Sequence, residues 1–282
     1  MQPTSHSVRT EPLTVAGLSP TTADVLRQAV RGTLARLLNL ALGIAIFTAC
    51  WIALAFALHR EILPYPWQVL PVFVTEMQGD LWVHTVASAQ RVLAAIALAV
   101  VTATPIGLVM GQIRTLDRIF SPLIGLVFPI PKIVFLPVLL VILGIGETSK
   151  VFLMTLILFF QVLVVVRDEA AGLRPELIQS VRSLGAGRRA LFRYVYLPAS
   201  LPAVLTALRV SVGTAVAVLF IAEQYSTREG LGYYIVTLTW QRLRYEAMYA
   251  GIMAMSLLGL ILYTVVDVLE RIFGRWRHAG EV

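Results

Sequence analysis

Few residues in this 282-residue chain carry chemistry. The four histidines, His6, His59, His84 and His278, are scattered without metal-ligand spacing. The single cysteine, Cys50, lies in an apolar run, which excludes an intrachain disulfide and a cysteine-based metal site. No Gly-x-x-x-x-Gly-Lys-Ser/Thr phosphate loop occurs. Gly144-Ile-Gly-Glu-Thr-Ser-Lys150 has glycines and a lysine at the wrong spacing. Neither Gly-x-Ser-x-Gly nor His-Glu-x-x-His is present. No catalytic residue, metal site or cofactor is therefore expected in the chain. It reads as no enzyme by itself, and any uphill movement would draw on an ion gradient or another subunit.

What remains is charge in unusual places. Lys132, Arg209 and Arg91 interrupt apolar runs, and Glu223 closes one. Charges within membrane segments are costly and point to pathways or partners. Lys132 sits among Pro122, Pro129, Pro131 and Pro137, so the chain should break there. A cation at a broken helix suits an anion, but it equally suits the carbonyls that the break frees. Arg209 and Arg91 either line a path or snorkel. Glu223 either meets an external partner or packs.

The largest polar island is Asp168–Gly185. Within it Pro175 suits a first helical turn, and Glu176 follows near the positive helix end. Leu177, Ile178, Val181 and Leu184 form one stripe, and Gly185 and Gly187 stop the helix. This predicts a short amphipathic helix over about 176–184. It either docks in a groove on a partner or packs on its own chain.

The elements that hold these residues are membrane spans. Hydrophobic residues make up 58 % of the chain and charged residues 14 %, and mean hydropathy is +0.80. An ordinary soluble domain has about 25 % charged residues. Six spans are expected, about 37–58, 84–111, 119–145, 148–166, 195–222 and 247–270. Residues 1–22 read as a disordered tail, 23–36 as an interfacial amphipathic helix, 37–270 as the six-span domain and 271–282 as a second tail. One side holds Arg27, Arg31, Arg36, Arg114, Arg118, Arg167, Arg174, Arg182, Arg188, Arg189, Arg193, Arg271, Arg275 and Arg277. The other holds only Arg60, Lys150, Arg228, Arg242 and Arg244. That imbalance puts both termini and the 167–194 loop in the cytoplasm. It also accounts for the net charge of +7 without a nucleic-acid surface.

The segment Gln179–Pro198, "QSVRSLGAGRRALFRYVYLP", resembles the signature of permease subunits of ATP-binding-cassette importers. That signature runs Glu-Ala-Ala, three residues, Gly, nine residues, Ile, one residue, Leu-Pro. Gly185 takes the Gly place, Val195 the Ile place, and Leu197-Pro198 the end. Gln179-Ser180-Val181 then stands at Glu-Ala-Ala. The literal Glu169-Ala-Ala-Gly172 is ten residues too early, since its register would put Pro175 at the Gly and Gly187-Arg188 at Leu-Pro. The likeness extends from about Leu63 to Arg277, through "SPLIGLVFPIPKIVFLPVLLVILGIGE" and "FIAEQYSTREGLGYYI". These strings are similar to the branch for taurine, aliphatic sulfonates, nitrate or bicarbonate.

The resemblance implies an all-α type I importer permease fold in the bacterial inner membrane, with a coupling helix between spans four and five. It implies a homodimer, two cytoplasmic ATPase subunits that hold ATP and Mg, and a periplasmic or lipoprotein solute-binding protein. The ATPase contact would be Glu176, Gln179, Ser180, Val181, Arg182, Ser183, Leu184, Gly185 and Ala186. Gln179 can hydrogen-bond but cannot form the family's ion pair, which leaves charge to Glu176, Arg182, Arg188 or Arg189. Pyrimidine or vitamin-precursor uptake uses similar permeases. A gradient-driven carrier would want acidic or histidine relays within spans, and none is seen.

Overall fold

The computed structural model describes residues 22–58, 61–225 and 227–273. The expected tails at 1–22 and 271–282 fall almost wholly outside the described residues. The chain forms two units, divided after His59. The first is one helix, α1 (Thr22–Leu58), which runs unbroken through the expected interfacial segment and the first span. Its Ala41–Leu58 portion is apolar enough to cross a membrane.

The second unit is built on α3 (Asp80–Gln112) and α6 (Glu147–Ala171), the most extensive pairing in the fold. Ala95, Ala99, Ala103, Gly107 and Gly111 recur every four residues along α3. That spacing makes one small-residue stripe on which another backbone can lie closely. The three alanines are fully buried or nearly so. A methyl group on Gly107 would meet the Leu163 carbonyl at 3.0 Å and Val166 Cβ at 3.1 Å. One on Gly111 would overlap the Arg167 carbonyl and lie 2.7 Å from Ala170 Cβ. Gln112 donates its amide to the Ala170 carbonyl and closes the pairing.

The segment expected as one span at 119–145 is not one helix. α4 (Arg114–Val127) stops, and a short 3₁₀ turn (Lys132–Phe135) with α5 (Leu136–Ile142) leaves at 80°. Pro129 and Pro131 lie in the break, where each removes a backbone donor. Among the described residues five helices are long and apolar enough to span, or six if the bent pair counts as one.

α7 (Pro175–Ser183) follows α6, and α8 (Arg188–Leu191), a wide π turn (Phe192–Tyr196) and α9 (Leu197–Ala222) then form one continuous rod. α11 (Tyr245–Phe273) packs on α9. α2 (Pro66–Met77) lies against α11 and α3, with Gln68 Oε1 accepting the Tyr65 N–H at 2.8 Å to cap it. Between α9 and α11, α10 (Leu231–Tyr233) leads into a π segment (Tyr234–Thr239). Thr239 Oγ1 donates toward the Tyr234 and Ile235 carbonyls, at 3.0 and 2.7 Å, where wide winding leaves acceptors free.

Not every span glycine serves packing. Gly125 and Gly213 would meet nothing within 4 Å, and Gly259 makes only ordinary contact with Val216. Replacing Gly111 by Val should destabilise the protein in detergent by about 3 kcal/mol, because the backbone of α6 would have to move. Gly213→Ala should leave the unfolding midpoint unchanged. Equal midpoints for the Gly111→Val and unsubstituted proteins would contradict the close α3–α6 contact.

Candidate functional site

The most concentrated polar site lies where α3, α6 and α9 end together. Arg91 is about two turns beyond His84 on α3, and its side chain is only 4 % exposed. Its guanidinium makes a two-pronged pair with Glu147 at the start of α6, with Nη2 2.7 Å from Oε1 and Nε on Oε2. Its Nη1 lies 2.5 Å from Glu223 Oε1 at the end of α9 and donates to the Glu229 carbonyl at 2.9 Å. Planar, forked arginine suits such multiple donation; lysine would not. Glu223 is fully buried. The Ser88 hydroxyl lies 2.8 Å from both of its oxygens, and the Gly232 N–H donates to it at 2.9 Å.

The turn before α10 is shaped around this carboxylate. Leu231 N–H donates to Ser88 Oγ at 2.8 Å, and Gly230 N–H donates to His84 Nδ1 at 3.0 Å. His84 is therefore an acceptor at Nδ1, not a ligand. Gly230 sits at φ +122°, and a Cβ there would overlap Arg91 and Glu223. A Cβ on Gly232 would fall 2.8 Å from Glu223 Cβ. Tyr234 fills the space beyond, and burial raises its phenol above the ordinary range, so the hydroxyl stays neutral.

Arg91 neither lines an open path nor snorkels but is held in a buried ion pair, and of the two alternatives for Glu223 the packed one describes this geometry. The sequence does not show Ser88, Arg91 and Glu147 as a site with Glu223, because Glu147 and Glu223 lie 56 and 132 residues from Arg91. The available signal was three charges of opposing sign, each near the same end of a different span.

Lys132 is 8 % exposed and caps the helix break. Its ammonium lies 3.2, 2.9 and 3.4 Å from the Val127, Phe128 and Ile130 carbonyls. It also sits over the Phe128 and Phe160 rings at 5.4 and 4.9 Å. The freed-carbonyl alternative describes this geometry. Arg209 pairs with Asp267 at 3.3 Å and Glu270 at 3.2 Å across the α9–α11 contact, and Thr206 adds a 2.7 Å bond to Glu270. Lys132, Arg209 and Glu223 thus occupy three separate clusters with no common partner.

α7 presents a different surface. It contains no buried residue. Ile178 and Val181 pack partly against the core, while Leu177 and Leu184 are 46 % and 86 % exposed. The apolar stripe therefore divides: one pair seats the helix and the other faces away. Glu176, Gln179, Ser180, Arg182 and Ser183 are exposed, and Ala186 is half-buried. Ser180 and Ser183 return their hydroxyls to the Glu176 and Ser180 carbonyls at 2.8 Å. Gly185 ends the helix at φ +84°. Val195 is buried in the π turn, and Leu197-Pro198 opens α9.

Comparison with known proteins fits this architecture. Residues 103–277 match the family model described as binding-protein-dependent transport system inner membrane component. The chain is 32 % identical over 261 residues to the taurine transport system permease protein TauC of Escherichia coli, covering 89 % of this chain and 94 % of the relative. It is 28 % identical to the putative aliphatic sulfonates transport permease protein SsuC of Escherichia coli, covering 79 % and 84 %. Among solved structures, an inward-facing MetNI methionine ABC transporter superposes with TM-score 0.59 at 20 % identity, over 70 % of this chain and 97 % of that one. The last is a likeness of fold alone. With the α7–α9 segment in the register of the permease signature and a multi-pass apolar frame around it, the chain belongs to the family of inner-membrane components of binding-protein-dependent transport systems.

Proposed function

We propose that this permease carries a small sulfonate or a similar small anion, working as a homodimer with two cytoplasmic ATPase subunits and an external binding protein. The observation that carries the coupling part is the divided face of α7. A nine-residue helix that leaves Leu177 exposed, with Leu184 exposed just past its end, beside Glu176 and Arg182, presents a small apolar knob with a charged rim. That is the form of helix that seats in a groove on a partner. Both termini and α7 are assigned to the cytoplasm by the imbalance of Arg and Lys. ATP and Mg belong to the ATPase, and this chain supplies no catalytic group. The names of the taurine and aliphatic-sulfonate relatives support the anion class. Selection among anions falls to the binding protein.

In this reading Lys132 is a structural tether and not the anion's seat, since its ammonium already serves three carbonyls. Arg209 and Glu223 likewise hold helices together in the state described. The path then runs between two copies, through small and apolar side chains.

Co-expression with the ATPase encoded beside it, followed by purification and uptake in liposomes containing the binding protein, tests the assignment. ATP-dependent uptake of taurine or another sulfonate is expected; transport by the chain alone would overturn it, and uptake confined to a pyrimidine would overturn the anion class. Leu177→Asp with Leu184→Asp should leave the unfolding midpoint of the chain unchanged and abolish co-purification of the ATPase. A stable, active complex from that variant would remove α7 from the contact. Lys132→Ala should cost about 1–3 kcal/mol of stability by orphaning buried carbonyls, with the half-saturating substrate concentration of uptake unchanged. A several-fold change in that concentration at full stability would return Lys132 to the pathway.

A further inference from the structure

A cavity of about 580 Å³ opens beneath α7, between the end of α3, the start of α4 and α8. Three arginines line it: Arg114, the first residue of α4; Arg182, in the last turn of α7; and Arg188, the first residue of α8. Among the described residues none of the three has a carboxylate within ion-pair distance or a side-chain hydrogen bond. Carboxylates on neighbouring elements are taken. Asp117 accepts the Ser121 hydroxyl at 2.7 Å and lies 3.7 Å from Arg167. Asp168 pairs with Arg167 at 2.7 Å, and Glu176 lies 3.9 Å from Arg174. Arg244 pairs with Glu76 at 2.6 Å, whereas Arg118 and Arg189, like these three, meet no carboxylate among the described residues; what sets this place apart is that three such arginines converge on one cavity. Three uncompensated guanidinium groups around one cavity repel one another and lower the energy of any anion placed among them.

Apart from Gln112 and Tyr196 the other walls are apolar, including Leu108, Leu191 and Phe192. Water-soluble anions gain nothing from such walls, but the glycerol and first acyl carbons of a lipid do. We propose that this cavity binds the phosphate of an anionic phospholipid headgroup, held by forked contacts from Arg114, Arg182 and Arg188. One lipid would then tie α3–α4 and α8 to the docking helix α7, and so set how firmly α7 is held. The inference rests on the assignment of this end to the cytoplasm only for which leaflet supplies the lipid.

Native mass spectrometry of the full chain, released from mixed micelles of phosphatidylglycerol and phosphatidylcholine, tests it without ATPase or transport. The chain should retain phosphatidylglycerol over phosphatidylcholine by roughly tenfold or more, the worth of one or two charge-assisted contacts. Arg114→Gln with Arg188→Gln should bring that ratio near one, Arg114→Lys with Arg188→Lys should keep part of it, and Arg174→Gln, outside the cavity, should keep all of it. Equal retention of the two lipids, or an unchanged ratio in the double glutamine variant, would overturn the proposal. Loss of retained lipid in millimolar inorganic phosphate, with phosphate bound in its place, would overturn the lipid source.

Discussion

The fold depends on Arg91, which with Lys132 and Lys150 is one of the buried cations among the described residues. Arg91 lies between Glu147 and Glu223, and through them it fixes the ends of α3, α6 and α9 and the turn at 229–232. Taking such charges out of water costs several kcal/mol per ion, and only close geometry with further hydrogen bonds offsets it. Those bonds are present: Ser88 and Gly232 serve Glu223, and the Glu229 carbonyl serves Arg91. The Gly-Leu-Gly run at 230–232 follows as a consequence, since a side chain at either glycine would enter the space of the ions. At this end the helices are fastened by paired charge, whereas along their length the small-residue stripe of α3 lies against buried apolar side chains of α6 such as Leu163 and Val166.

The opposite end is organised differently. Arg209, Asp267, Glu270 and Thr206 form a half-exposed network between α9 and α11, and Arg271 joins it through Asp267 at 2.8 Å. Partial exposure and screening make such pairs weaker than the buried set. α7 is seated only by Ile178 and Val181. One end is thus tightly determined and the other loosely held, with α7, the helix proposed to dock, on the loose end. An ATPase pulling on α7 would find less resistance there than at the Arg91 end.

Much of this was legible in the sequence, and the limits have physical causes. The long apolar helices announce themselves by length, so α3 and α11 extend only a few residues past the expected 84–111 and 247–270. α7 begins at Pro175 because proline and the following glutamate suit a helix start. The direction in which each apolar residue of α7 points was not legible, because a 3–4 spacing does not say which half of the stripe meets the core. The prolines around Lys132 announced a break but not an 80° turn, which is set by packing on α6. The ionic site was hidden because its members at 91, 147 and 223 meet only in three dimensions. Each alone reads as a charge at a span end.

If buried charge fastens this end, the backbone it holds must be as protected as the helical core. Hydrogen–deuterium exchange of the purified chain, read by mass spectrometry over 229–235, measures this directly. The account predicts that the amides of Gly230, Leu231 and Gly232 exchange as slowly as those in the middle of α3 and α6, and that Arg91→Met brings them to the rate of an exposed loop. Rapid exchange of this segment in the unsubstituted protein would contradict it.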